Sequence, residues 1–190
     1  MKQKINHFLE ECLCSYKALK DECVCEIELI VKEVINVYTK RGKLLIFGNG
    51  GSAADSQHIA AEFMSRFKRE RRALPAIALT TDTSIITAVS NDYSFTRIFS
   101  RQIEALAVKG DIAIGISTSG KAENVIAGLK QARALGLTCI TLTGEKGVNL
   151  KQLSDICLIV PSANTPRIQE MHITVAHIIC ELVEQALTDD

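Results

Sequence analysis

A chain of 190 residues, 47% hydrophobic and 23% charged, has ordinary globular composition and enough apolar material for one sizeable core. Its 22 Lys and Arg balance 22 Asp and Glu, and a formal charge of zero argues against a nucleic-acid surface or a polybasic membrane patch. No run approaches the ~20 apolar residues of a membrane-spanning helix, and the charged opening MKQKINHFLEECLC has no signal-peptide core, so the expected location is the cytoplasm.

Residues 2 to about 41 carry helical periodicity. Ile5, Phe8, Leu9, Leu13, Tyr16 and Leu19 form one stripe, and Ile27, Ile30, Val31, Val34, Ile35 and Tyr38 a second. Asp21 is the expected cap of the second helix. Two such helices ahead of the first strand offer more apolar surface than one sheet face requires, so part of it is expected to bury against another subunit. Of the seven cysteines, Cys12, Cys14, Cys23 and Cys25 stand as two C-x-C pairs. Residues i and i+2 on a helix diverge, so these read as free, partly buried thiols rather than a metal clamp.

Lys43 to Glu62, KLLIFGNGGSAADSQHIAAE, organises the rest. Leu44 to Phe47 reads as a buried strand and Gly48-Asn49-Gly50-Gly51 as a tight turn, with Ser52 capping a helix from about Ala53. A helix N-terminus fed by a glycine turn is a seat for phosphate. The turn is neither G-x-G-x-x-G nor a Walker loop. His58 and Glu62, at i and i+4, share a helix face, either as a metal or acid/base pair or as an exposed surface pair. The basic run from Arg66 to Arg72 reads as a solvated face.

Pro75 to Leu79 is the second expected strand. A short helix then ends near Val89, with Ser90-Asn91-Asp92 as a break, and another helix from Phe95 to Val108 is closed by Gly110. Asp111 to Ile116 is a third strand. It runs into Ser117-Thr118-Ser119-Gly120 and a helix from Ala122 to Leu135. A cap needs one hydroxyl; three in succession at a helix start suggest a second anion cradle. Gly136 ends that helix, strands follow at Thr138 to Thr143 and Asp155 to Val160, a polar loop or short turn joins them from Gly144 to Leu153, and a last helix runs from about Arg167 to Leu187.

Five short apolar strands alternating with helices predict an α/β protein, a parallel sheet covered on both faces. Asn49–Ser52, Asn91-Asp92 and Ser117–Gly120 all follow carboxyl ends of strands and can share one crevice. On the last helix, His172 reads as an ordinary helix histidine, whereas His177 among Val175, Ala176, Ile178 and Ile179 needs a partner or a function. Gln169 and His177 are separated by about 12 Å of rise and about 80° of rotation, so one metal takes both only if the side chains lean together or a second copy contributes.

Taken together, GNGGSAADSQHIAAE, GISTSG and RIQEMHITVAH resemble bacterial phosphoheptose isomerases of the sugar isomerase (SIS) domain superfamily, over nearly the whole chain. The resemblance implies a flavodoxin-like three-layer sandwich with a five-stranded parallel sheet. It makes 1–190 a single SIS domain, with 1–41 a helical extension used in packing and oligomerisation and 42–190 the α/β core. It implies a cytoplasmic homotetramer that isomerises sedoheptulose 7-phosphate to D-glycero-D-manno-heptose 7-phosphate, the first step toward ADP-heptose for lipopolysaccharide core. By similarity Asn49, Gly50, Gly51 and Ser52 contact the sugar phosphate, Asn91 and Asp92 contact substrate, and Ser117, Thr118 and Ser119 cradle phosphate. His58, Glu62, Gln169 and His177 match the family's zinc positions, one ion per subunit, with Gln169 and Glu62 also at substrate positions and Glu62 and His177 the acid/base pair. Many members carry a serine two residues after the STSG glycine; here it is Ala122, beside Lys121. The bacterial regulator that binds the replication initiator DnaA shares the GNG, STxG and RIQEMH stretches but lacks counterparts of Glu62 and the last histidine. A non-catalytic tetramer of that kind, or a sugar-phosphate sensor, is the alternative.

Overall fold

The computed structural model describes residues 1–188. Two helices, α1 (Lys2–Glu22) and α2 (Val24–Thr39), precede β1 (Leu44–Gly48), α3 (Gly51–Met64), β2 (Ala76–Ala78) and α4 (Thr83–Asp92). A 3-10 turn at Phe95–Arg97 leads into α5 (Ile98–Leu106), followed by β3 (Ile112–Ser117), α6 (Glu123–Ala134) and β4 (Thr138–Gly144). A 3-10 segment, Glu145–Leu153, kinked at Gly147, then leads to β5 (Ile156–Val160) and α7 (Thr165–Thr188).

The sheet is parallel throughout, in the order β2-β1-β3-β4-β5. Every residue of β1 and β3 is buried, which is why these strands read as unbroken apolar runs. Side chains alternate across the sheet. Leu44 and Ile46 join Val34, Tyr38, Phe63, Met171 and Val175 in the core beneath α2, α3 and α7. Leu45 and Phe47 join Phe99, Ile103, Val125 and Leu129 in the core beneath α5 and α6. The three-layer α/β expectation is met, in flavodoxin-like strand order, and the order reverses between β1 and β3, where such sheets open a binding crevice.

Several expected boundaries move. α1 runs through Asp21, and α2 starts after Cys23 with no side-chain cap; the chain turns there because Cys23 is buried, its thiol 3.4 Å from the Ile159 carbonyl. Ser52 is not a cap: α3 begins at Gly51, behind Gly50 at φ 56°, and Ser52 is buried in its first turn. Ser90-Asn91-Asp92 does not break α4, which starts with the Asp82 carboxylate accepting from the Ile85 amide (2.9 Å) and continues to Asp92. The helix expected from Phe95 to Val108 is a 3-10 turn followed by a shorter α5. The stretch expected as a loop or short turn is 3-10 over Glu145–Leu153, with Gly144 ending β4, and α7 starts at Thr165 with Pro166 in its first turn, where a missing N–H costs nothing.

Packed on α7, α1 is tied to it by Arg167 Nη1 donating to the Phe8 carbonyl (3.2 Å) and by the Tyr16–Thr174 hydroxyl pair (3.2 Å). Its other face leaves Ile5, Phe8, Leu9 and Leu13 at least half exposed. The seven cysteines are free thiols; of the four expected to be free and partly buried, Cys23 is buried and Cys12 half-buried, while Cys14 and Cys25 are exposed.

Candidate active site

The carboxyl ends of β1 and β3 place two turns side by side. Asn49 closes β1, and its side-chain amide makes a reciprocal pair with Asn124 at the start of α6: each Nδ2 donates to the other's Oδ1 at 2.8 Å. Asn124 is buried and its Oδ1 also accepts from the Val125 amide (2.9 Å), so the amide is fixed in orientation. The first turn is thereby bonded directly to the helix that follows the second.

The second turn, Ser117 to Gly120, is held from below. Thr143 Oγ1 donates to the Ser117 carbonyl (2.6 Å), the Gly144 amide to the Thr118 carbonyl (3.2 Å), and Asn149 Nδ2 to the Gly120 carbonyl (3.0 Å). Gly120 sits at φ 65° against the Gly147 backbone, where a Cβ would collide. Ser119 Oγ accepts from the Lys121 amide at 3.3 Å. The N-cap of α6 is Ala122, which has no side chain to cap with; the Val125 amide is taken by Asn124, which leaves those of Glu123 and Asn124 for an anion. Ala122 packs instead against the core under α5 and α6, and Lys121 is exposed.

Between the β1 turn and the α4–α5 region lies a crevice of about 180 Å³, lined by Gly48, Asn49, Gly50, Thr80, Ile86 and Phe95 among others. Asn91 and Asp92 are exposed and bonded to each other, Nδ2 to Oδ1 at 2.8 Å. They lie at the far end of α4, about 8 Å of rise beyond Ile86 and shortly before Phe95, and are not themselves among the residues lining this crevice.

A second cluster forms between α3 and α7. His58 Nε2 lies 3.1 Å from Glu62 Oε1 and 3.4 Å from His177 Nε2, with the two imidazoles edge to face at 71°. The ring of Phe67 packs 5.6 Å from that of His177. All three side chains are at least partly open to solvent. Gln169 lies elsewhere, its amide packed so closely on Gly51 that any Cβ there would clash. With Gln169 beside Gly51 and His177 beside His58, α3 and α7 run side by side in the same direction. Gln169 therefore stands about two turns from the cluster, and within one chain the structure unites only His58, Glu62 and His177.

The donor set suits zinc. Two ligands at 2.0–2.1 Å from one tetrahedral ion stand about 3.4 Å apart, close to the separations seen here. Two imidazoles and a carboxylate leave a fourth position for water, substrate or an amide oxygen.

Three neighbours carried no signal in the sequence. Asn124 is one, since nothing in GKAENV marks an asparagine that reaches across to another turn. Asp55, one turn before His58, is half-buried, with Oδ2 making no hydrogen bond among the described residues; burial pushes its carboxyl up, and His58 pulls it back only partly. The third is the Arg66–Arg72 segment, expected as a solvated face, in which Arg71 is buried against Glu184. Burial and the Glu62 charge push the nearby Cys180 thiol up to about 12, so it stays protonated beside the cluster.

Residues 7–144 match the SIS domain family. The chain is 58% identical over 164 residues to a phosphoheptose isomerase of Roseiflexus sp. (strain RS-1), covering 86% of this chain and 83% of that protein. Among solved structures, a phosphoheptose isomerase from Francisella tularensis superposes with a TM-score of 0.93 at 36% identity, over 96% of this chain and 97% of that one. One from Neisseria gonorrhoeae superposes with a TM-score of 0.91 at 37% identity, over 97% and 98%.

Proposed function

The chain belongs to the phosphoheptose isomerases of the SIS-domain family and is an isomerase, and from that premise we propose that it converts sedoheptulose 7-phosphate to D-glycero-D-manno-heptose 7-phosphate. The product feeds ADP-heptose synthesis for lipopolysaccharide core. The observation that carries the proposal is the convergence of Glu62 and His177, with His58, from two separate helices.

Ser117, Thr118 and Ser119 with the α6 N-terminus hold the phosphate, whose charge the unclaimed amides and helix dipole favour. Asn49, Gly50, Gly51 and Ser52 hold the sugar, Asn91 and Asp92 contact its hydroxyls, and Gln169 lies at the same end of α3. Glu62 takes the C1 proton of the ketose, and His177 delivers a proton to O2, giving an enediol. The C1 proton returns at C2, and the O1 proton leaves to His177, which closes the aldehyde. His58, Glu62 and His177, with Gln169 brought in, would hold one Zn2+ per subunit, and a bound ion would polarise the carbonyl. Glu62 Oε1 and His177 Nε2 face the shared centre, so Oε2 and Nδ1 remain for proton transfer.

The whole of 1–190 is read as one SIS domain, with 1–41 a helical extension. Its assembly is a homotetramer in the cytoplasm, supported by the open apolar face of α1. No helix among the described residues is long and apolar enough to cross a membrane.

Assaying sedoheptulose 7-phosphate with and without chelator tests this reading. Glu62→Gln should lower kcat by about 10²–10⁴-fold with the fold and assembly intact. Full turnover by that variant would overturn the role given to Glu62, whereas a wild-type chain that turns over no sugar phosphate would leave the non-catalytic, partner-binding alternative.

A further inference from the structure

After α3 the chain makes an irregular return to β2 through residues 65–75, and this segment forms one wall of the cluster. Its anchor is a buried ion pair. Arg71 Nε lies 3.2 Å from Glu184 Oε2, close enough to pair though not aligned as a hydrogen bond, and the two side chains are 3% and 2% exposed. Each partner is bound further. Glu184 accepts three successive backbone amides, from Phe67 (2.8 Å), Lys68 (2.7 Å) and Arg69 (2.6 Å). The Arg71 guanidinium donates to the carbonyls of Glu62 (2.8 Å), Phe63 (2.9 Å), Ser65 (3.3 Å) and Arg72 (3.0 Å).

These bonds connect the two helices that carry the cluster. The carbonyls of Glu62 and Phe63 lie in the last turn of α3, where helical oxygens lack intrahelical partners, and Arg71 satisfies them. Glu184 lies seven residues beyond His177 on α7, within about 20° of two full turns, and so on the same side of that helix. Phe67, whose amide Glu184 holds, packs its ring on His177, and Lys68 sits 5.4 Å over that ring while pairing with Glu181 (2.8 Å). One chain of contacts therefore runs from the Glu62 backbone through Arg71 and Glu184 to the α7 face bearing His177.

We infer that Arg71 and Glu184 are positioning residues for the isomerase centre: they set the spacing of Glu62 on α3 against His177 on α7, and Phe67 fixes the His177 ring. Neither touches substrate. The inference rests on the proposed role of the His58–Glu62–His177 cluster. The pair costs desolvation that an apolar contact would not, which is expected where placement rather than stability is the gain.

The test compares the wild-type chain with Arg71→Lys, which keeps the charge but loses the planar fork, and Glu184→Gln, which keeps an acceptor oxygen but loses the charge. Fold is followed by circular dichroism, and zinc affinity by titrating zinc chloride against a chromogenic chelator. Rates are measured with sedoheptulose 7-phosphate below the melting temperature. Zinc affinity and kcat are each expected to fall about 10–100-fold. KM for the sugar phosphate should stay within about twofold, because the phosphate cradle is on other elements. Folded variants with wild-type zinc affinity and kcat overturn the inference. So does loss of folding in both variants, which would make the pair an element of the fold alone. A wild-type chain inert toward zinc and sugar phosphate alike overturns the proposed function itself, and so is distinguishable.

Discussion

Asn124 keeps both halves of its side-chain amide occupied in a buried position, so any substitution leaves Asn49 with an unmet donor or acceptor. Asn49 itself is exposed, so water can take up its freed amide, and what is lost is the fixed orientation of the β1 turn rather than a buried hydrogen bond. Asn124→Ala should therefore raise KM for the sugar phosphate by about tenfold with a smaller change in kcat, as steady-state kinetics would show. Asn124→Asp, which can still accept but no longer donates to Asn49, should fall between. His172 makes a different prediction. It is buried beside the Thr143 backbone, yet neither ring nitrogen completes a hydrogen bond, and burial lowers its pKa from 6.5 to about 4. An imidazole that is neutral when folded contributes stability above pH 6.5, and that stability is lost as pH falls toward about 4. The loss is at most about 3 kcal/mol. Urea midpoints measured from pH 7.5 to 4.5 should show the decline, and His172→Gln should flatten it. At this scale the sequence was legible where the chemistry is local. The i,i+4 spacing of His58 and Glu62 could be read directly; the meeting of His177 with them depends on how two distant helices pack.

The elements place these residues through backbone contacts more than through side chains. Gly120 turns at φ 65° with the Gly147 backbone where a Cβ would stand, so the Ser117–Gly120 turn and the 3-10 segment after β4 fit as one unit. Gly120→Ala should cost about 1–2 kcal/mol for the left-handed backbone alone, before the collision is counted. It should also raise KM more than it lowers kcat, which urea denaturation and kinetics together would resolve. The helices were legible from periodicity, but their ends were less so. Asp21 looked like a cap and is not one, because the burial of Cys23 decides where the chain turns. Ser90, Asn91 and Asp92 looked like a break, yet a helix already capped at Asp82 carries three weak formers to its end. Ser52 looked like a cap because only packing reveals that it faces the interior.

For the whole molecule, five apolar strands alternating with helices already implied a parallel sheet, since no other arrangement buries both faces of such strands. The strand order, and with it the switch point between β1 and β3, is set by long-range pairing and had to come from the structure. The surplus apolar surface expected on the leading helices is present: Phe8 and Leu13 are more than half exposed on α1. Replacing both with Glu should reduce the proposed tetramer to smaller species, measured by light scattering after size exclusion, while circular dichroism stays unchanged.

The meeting of His58 with His177 joins positions 119 residues apart in the chain. During synthesis the first histidine and its glutamate are made long before the second, and the two-ligand fragment that exists until then holds a cation weakly. The proposed zinc ion would thus be captured only after α7 has docked on α3, and its retention would report a finished fold. A chain cut or truncated anywhere between those positions would betray itself by failing to keep metal, even if its first half had folded.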